Sequence, residues 1–145
     1  MRRLSLICLL LPATFCSVAF SQEQEEAIEK ILLDQVAAWN AGDIDGYMKG
    51  YWNSDSTLFL SGGNLTRGYS GVLSRYKKTY DTRNKMGKLE FGELHVRIIT
   101  QSLGVATGVW RLHRAKDMPW GRFTLLVEKM PEGWRIVHDH TSSAN

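Results

Sequence analysis

The hydrophobic period of this chain changes once, at Gly87, from helical to alternating. Before that point apolar residues recur every three to four positions. Ile28, Ile31, Leu32, Val36 and Trp39 form one face of a helix expected over residues 23–41, and Glu23, Glu25 and Glu26 suit its N-terminal dipole. Gly42 closes that helix and Asp43 is placed to cap the next, where Ile44, Tyr47, Met48 and Tyr51 fall at i, i+3, i+4 and i+7. A short strand, "STLFL" (56–60), and a glycine turn precede a third helical face of Tyr69, Val72, Leu73, Tyr76 and Tyr80. After Gly87, Leu89 and Phe91 alternate, then Leu94, Val96 and Ile98. The slip of parity at Gly92 predicts a β-bulge and a bend. Further strands are expected over 105–114, 122–129 and within "GWRIVHDHTS" (133–142), with "QSLG" (101–104) and "MPEG" (130–133) as turns. Helices first and a sheet afterwards is an α+β order. It predicts a strongly bent antiparallel sheet closed on one side by the helices, with a concave interior.

The first residues read differently. Arg2 and Arg3 precede an apolar run from Leu4 to Leu11, and Ala19-Phe20-Ser21 fits the small-x-small rule for cleavage. This pattern predicts a bacterial-type signal peptide, residues 1–21, cut near Ser21, and an exported (periplasmic or secreted) single domain over 22–145. The apolar run is too short to span a bilayer comfortably, so no membrane attachment is expected after cleavage. Removing 1–21 takes away two arginines and no acid, which lowers the formal net charge from +3 to +1. The sequence pI of about 9.0 therefore argues little for nucleic acid. Cys8 and Cys16 leave with the leader, so the mature domain rests on its core rather than on disulfides.

"WNAGDIDGY" (39–47), "GRFTLLVEK" (121–129) and "GWRIVHDHTS" together resemble the SnoaL-like, nuclear transport factor 2-like superfamily, closest to bacterial relatives of the calcium/calmodulin-dependent protein kinase II association domain. The resemblance covers nearly all of the mature chain. It implies a cystatin-like α+β barrel, that is, a cone-shaped, strongly bent antiparallel sheet wrapped by three N-terminal helices, with an internal pocket and homodimers formed through the outer sheet face. It implies no single reaction, because the fold hosts isomerases, cyclases, dehydratases and binders. Aligned on "NAGDIDG", the oxyanion tyrosine and the catalytic aspartate of ketosteroid isomerases fall near Val36 and Leu60, which argues against that mechanism. The association-domain branch carries over a pocket tyrosine to Tyr47 and a pocket arginine to Arg111. Two further pocket cations fall on Leu125 and Thr141, and a pocket histidine on Val72. Arg122 is placed to supply a second positive charge.

In the last strand Trp134, Ile136, His138 and His140 alternate with Arg135, Val137, Asp139 and Thr141. With Arg111 inside, the Asp139 and Thr141 face lines the pocket. A buried carboxylate requires a partner, and Arg111 or Arg122 is the one expected. Asp139 then has two readings, a general base or half of a structural Arg–Asp pair, and Arg111 has two as well, a ligand anchor or the other half. His138 and His140 have a spacing that binds metals from one strand, but a third ligand would have to be His95 or His113. Interface histidines are the simpler reading, so no metal is expected. Most aromatic residues at helical spacing belong to the core, with Tyr47 and Trp52 facing the pocket. No phosphate loop, Ser-His-Asp order or basic stripe is present, and neither a cofactor nor nucleic acid is expected. The leading expectation is an exported small-molecule-binding domain for a small polar or carboxylate-bearing ligand held by Tyr47, Trp52, Arg111, Arg122, Asp139 and Thr141. The alternatives are an isomerase or lyase with Asp139 as proton acceptor and Tyr47 as donor, and a non-catalytic assembly module.

Overall fold

The computed structural model describes residues 14–144. The apolar run of the expected signal peptide lies outside the described residues. Helix α1 (Thr14–Ala41) begins earlier than the apolar spacing predicts and runs continuously through Ser21. No helix among the described residues is long and apolar enough to cross a membrane.

Helix α1 buries Gln24, Ile28, Leu32, Gln35 and Trp39, one residue per turn along a single stripe. Its first turns are pinned to the sheet by a side chain, since Gln24 Oε1 accepts from Trp134 Nε1 at 2.9 Å. Its end is closed by Gly42 at φ +83°, where a left-handed residue is needed and glycine adopts it without strain. Arg83 reaches back to satisfy the last carbonyls, donating to Trp39 O at 2.9 Å and Asn40 O at 3.0 Å. Asp43 caps α2 (Ile44–Met48) by accepting from Gly46 N at 2.7 Å.

The chain then forms β1 (Leu58–Ser61), β2 (Asn64–Arg67), α3 (Tyr69–Thr79) and the one-turn α4 (Arg83–Met86). Gly87, at φ +61°, turns it into the sheet. A Cβ there would lie 2.6 Å from the His113 carbonyl oxygen, so the change of hydrophobic period falls where only glycine fits. Four long strands follow: β3 (Lys88–Thr100), β4 (Leu103–His113), β5 (Trp120–Met130) and β6 (Gly133–Thr141).

The six strands lie in the order β2-β1-β6-β5-β4-β3. This is the α+β fold that the period change predicts, with one addition to the expected antiparallel sheet: β1 pairs with β6 in parallel. The register shift between Gly92 and His95 is the bulge signalled by the parity slip, and it carries Glu93 at φ +48°. Bulges increase local twist and bend, and the bent sheet presents its concave face to α1, α2 and α3. Strand β5 shows the two faces plainly. Gly121, Phe123, Leu125 and Val127 are buried against the helices, while Arg122, Thr124, Leu126 and Glu128 are exposed.

Candidate functional site

Between the helices and the concave face lies a cavity of about 140 Å³. Its walls are largely aromatic, with Trp39, Tyr47, Phe59, Tyr76, Phe91 and Trp110 among them. Trp39 organises the helical side. The rings of Tyr47, Tyr76 and Tyr80 meet its indole edge-on, with centroids 5.3, 6.1 and 4.7 Å away, a geometry favoured by the ring quadrupoles.

Tyr47 and Tyr51 sit four residues apart, on α2 and on the turn that follows it. Past α2 the backbone runs alongside β6, with Ile136 N donating to Gly50 O at 2.9 Å and Trp52 N donating to Ile136 O at 2.9 Å. This short parallel contact fixes Tyr51 over the end of β6, where Asp139 lies. The Tyr51 hydroxyl donates to Asp139 Oδ2 at 2.6 Å. The Tyr76 hydroxyl, from α3, stands 3.4 Å from those of both Tyr51 and Tyr47. Three phenols from three segments thus form a chain, Tyr47 to Tyr76 to Tyr51, that ends on one carboxyl group.

Asp139 is 5 % exposed, and its Oδ1 has no hydrogen-bond partner among the described residues. Burial pushes its carboxyl up from the usual 3.8 to about 7, a rise that the Tyr51 hydrogen bond partly offsets. Burial and then the Asp139 charge raise the Tyr47 and Tyr51 phenols, and burial and the neighbouring Tyr47 raise Tyr76. All three therefore remain protonated donors at neutral pH, beside a carboxyl whose titration is moved up toward neutrality. Tyr51→Phe removes the hydrogen bond that favours the ionised form, so the Asp139 pKa should rise further above 7. A carbon-13 titration of the labelled carboxyl group measures this, and an unchanged midpoint would mean that the bond is absent in solution.

Asp139 and Thr141 line the cavity, but not for the reason that alternation suggested. Leu126 pairs with His138 and Val127 pairs with Ile136, which leaves Val137 without a partner. This second bulge inverts the parity of β6. Trp134 and Ile136 face inward, and so do Asp139 and Thr141, whereas alternation had put the two pairs on opposite faces. His140 is exposed and His138 half-buried. No cluster of three metal-ligating side chains occurs among the described residues.

The two expected pocket arginines lie elsewhere. Trp110 and Leu112 point into the cavity, so Arg111 between them points outward, where its Nη1 stands 3.7 Å from Glu90 Oε1. Arg122 alternates with the buried Gly121 and Phe123 and pairs outside with Glu93 at 2.9 Å. Neither reaches Asp139, so the expected Arg–Asp pair is replaced by the Tyr51–Asp139 hydrogen bond. Trp52 is half-buried and does not line the cavity, because its backbone is tied to β6. Tyr47 lines the cavity, as do Tyr51, Tyr76 and Arg75, whose part in it the sequence reading missed. A usable signal was present: buried tyrosines require partners for their hydroxyls, and three of them fall on the inward faces around α2 and α3.

The chain matches the SnoaL-like domain family over residues 28–145. Among solved structures it is similar to an NTF-2-like protein of unknown function from Shewanella oneidensis MR-1, with 38% identity and a TM-score of 0.77 over 81% of this chain and 97% of that one. An NTF2-like protein of unknown function from Pseudomonas putida KT2440 matches with 19% identity and a TM-score of 0.72, covering 84% of this chain and 87% of the other. A ketosteroid isomerase-like protein from Erwinia carotovora atroseptica shares the fold at 16% identity, with a TM-score of 0.65 over 85% and 98% of the two chains. None of the curated proteins matches. A bent sheet closed by helices over an aromatic cavity, together with a family match over most of its length, places the chain in the SnoaL-like family of the nuclear transport factor 2-like superfamily.

Proposed function

We propose that this domain binds a small, mainly apolar molecule in the aromatic cavity and moves a proton on it, as an isomerase or a lyase does. The observation that carries this reading is Asp139: one oxygen is fixed by Tyr51, and the other is buried in the cavity wall with no partner. A proton acceptor works best with a pKa near the operating pH, and burial brings Asp139 there. The ionised carboxylate takes a proton from a carbon next to a carbonyl, the C–H electron pair moves into an enolate, and the carbonyl oxygen gains the negative charge. Tyr47 and Tyr76 offer hydroxyl groups to that oxygen. Where the substrate carries a carbon–carbon double bond next to that carbon, the enolate extends over it as a dienolate, and return of the proton from Asp139 to the far carbon brings the double bond into conjugation with the carbonyl and completes an isomerisation. The positions that would hold the ketosteroid isomerase pair, Val36 and Leu60, do not take part; here the acid and its tyrosines come from β6, α2, α3 and the turn between.

Phenylacetone, whose methylene protons are acidic, is a suitable probe. The wild-type protein should speed the loss of its methylene signal in deuterium oxide, and Asp139→Asn should remove about 10²–10⁴-fold of that rate. Binding of phenylacetone without exchange would reduce the domain to a binder. Export with removal of residues 1–21, and a homodimer through the outer sheet face, complete the reading; intact mass of the exported protein and light scattering test them.

A further inference from the structure

Arg75 is the only cation that lines the cavity among the described residues. It comes from the middle of α3 and is half-buried. Its guanidinium carbon lies 5.2 Å from the centre of the Phe59 ring, and its Nη1 makes a long hydrogen bond of 3.5 Å to Thr66 Oγ1. No carboxylate among the described residues forms an ion pair with it. The other partly buried arginines lie outside the cavity lining: Arg111 faces Glu90 and Arg114 faces Asp117, each at 3.7 Å, and Arg135 donates to the Trp134 and Glu132 carbonyls. A guanidinium stacked on a ring keeps its edge N–H groups free, and the fork they form fits a carboxylate. Thr79, one turn further along the same face of α3, and Ser61, at the end of β1, line the cavity too and add neutral donors.

The position of Arg75 relative to Asp139 matters equally. Phe59 is the register partner of Asp139 across the parallel β1–β6 pair, and Arg75 covers the Phe59 ring while bonding to Thr66 on β2. The cation thus lies toward the β2 edge of the sheet and the carboxyl one strand further in. An anion bound at Arg75 would therefore sit over the β1–β2 side of the cavity, leaving the aromatic wall for an apolar body that reaches toward β6 and Asp139.

We propose that Arg75 anchors the anionic end of the cavity's ligand, and that the ligand is a small aryl-substituted carboxylate. The proposal rests on the proton-transfer reading only in treating this cavity as the functional site. The bland alternative is an arginine that merely covers Phe59 and solvates the surface of α3.

Phenylacetate and phenylacetamide share their shape with phenylacetone and differ from each other in charge. Calorimetry at pH 8 should show the wild-type protein preferring phenylacetate by about tenfold, the lower end of what one charge-assisted contact supplies. Arg75→Met should abolish the preference, lowering phenylacetate affinity by more than that of phenylacetamide, and Arg75→Lys should keep part of it. Asp139→Asn should keep or enlarge the preference, whatever its effect on phenylacetone exchange. Loss of exchange therefore bears on Asp139 alone, and loss of the charge preference bears on Arg75 alone. Equal affinity for the two probes, a preference surviving in Arg75→Met, or no phenylacetate binding up to about 10 mM would overturn the proposal.

Discussion

Asp139→Asn is expected to make the fold more stable at pH 8, not less. The folded carboxyl has its pKa raised from 3.8 to about 7, so between those values the folded state holds a proton that the unfolded chain has released. Stability from this group is fully present below about pH 4. It is lost as the pH rises through 7, where the folded protein must carry a buried carboxylate. The difference amounts to about 4 kcal/mol. Asparagine keeps an acceptor for the Tyr51 hydroxyl and is never charged. The variant should therefore match the wild type in urea unfolding near pH 4 and exceed it by up to about 4 kcal/mol at pH 8. A stability difference between the two that stays constant from pH 4 to pH 8 would sink the assignment. The same substitution should slow exchange on phenylacetone by about 10²–10⁴-fold. A group that costs the fold several kcal/mol and is indispensable to chemistry has the thermodynamic signature of a functional residue.

The sign of that effect depends on what stands beside Asp139. Had an arginine paired with it, the carboxylate would be favoured and its removal would leave a buried cation, destabilising the fold. Tyr51 instead supplies one hydrogen bond and no charge. A phenol offsets only part of the cost of burial, so the acid keeps a proton that it can give and take near neutrality. On the proposed reading, the lack of a counter-charge beside Asp139 among the described residues is what suits it to proton transfer.

Sequence patterns revealed those features that act over a few residues. The change of period at Gly87 and the slip at Gly92 are local, and both appear as turning points of the sheet. The bulge at Val137 left no such mark. Trp134 to Thr141 alternates cleanly on paper, and the extra residue shows only against β5, whose pairing is not local. The parallel β1–β6 contact is hidden for the same reason, since β1 is four residues long and meets β6 across most of the chain. The outward position of Arg122, by contrast, was readable. "GRFTLLVEK" alternates Phe123, Leu125 and Val127 with Arg122, Thr124, Leu126 and Glu128, and an inward arginine would have turned three large apolar side chains outward in exchange for one leucine. The carry-over of Arg111 from the association-domain resemblance obscured that local pattern. Arg75 was missed because an arginine between Ser74 and Tyr76 on an amphipathic helix reads as ordinary surface; only the fold shows it leaning over Phe59 into the cavity.

Trp39→Ala should cause the largest loss of stability among single substitutions in the cavity wall. The indole is 2 % exposed and supports Tyr47, Tyr76 and Tyr80, and its Nε1 donates to Met86 O at 3.2 Å across the α1–α4 contact. Truncation removes the apolar contacts and leaves a hole that three tyrosines can only partly fill, at a cost of about 3–5 kcal/mol. It also orphans a buried carbonyl, which adds about 1 kcal/mol or more. Against the roughly 5–15 kcal/mol by which such domains are stable, this takes about a quarter of the total or more. A loss below about 1 kcal/mol in urea unfolding would show that the tyrosines do not rest on the indole. The chemistry should change along with the stability. Water admitted where the indole stood would solvate Asp139, and its pKa should fall from about 7 toward 3.8, because desolvation is the main cause of the rise. A carboxyl titration of the variant, run below its unfolding transition, tests this directly. A midpoint that stays near 7 would mean that the burial of Asp139 is set by β5 and β6 alone, whereas a midpoint that falls would mean that the residue supporting the aromatic wall also tunes the acid.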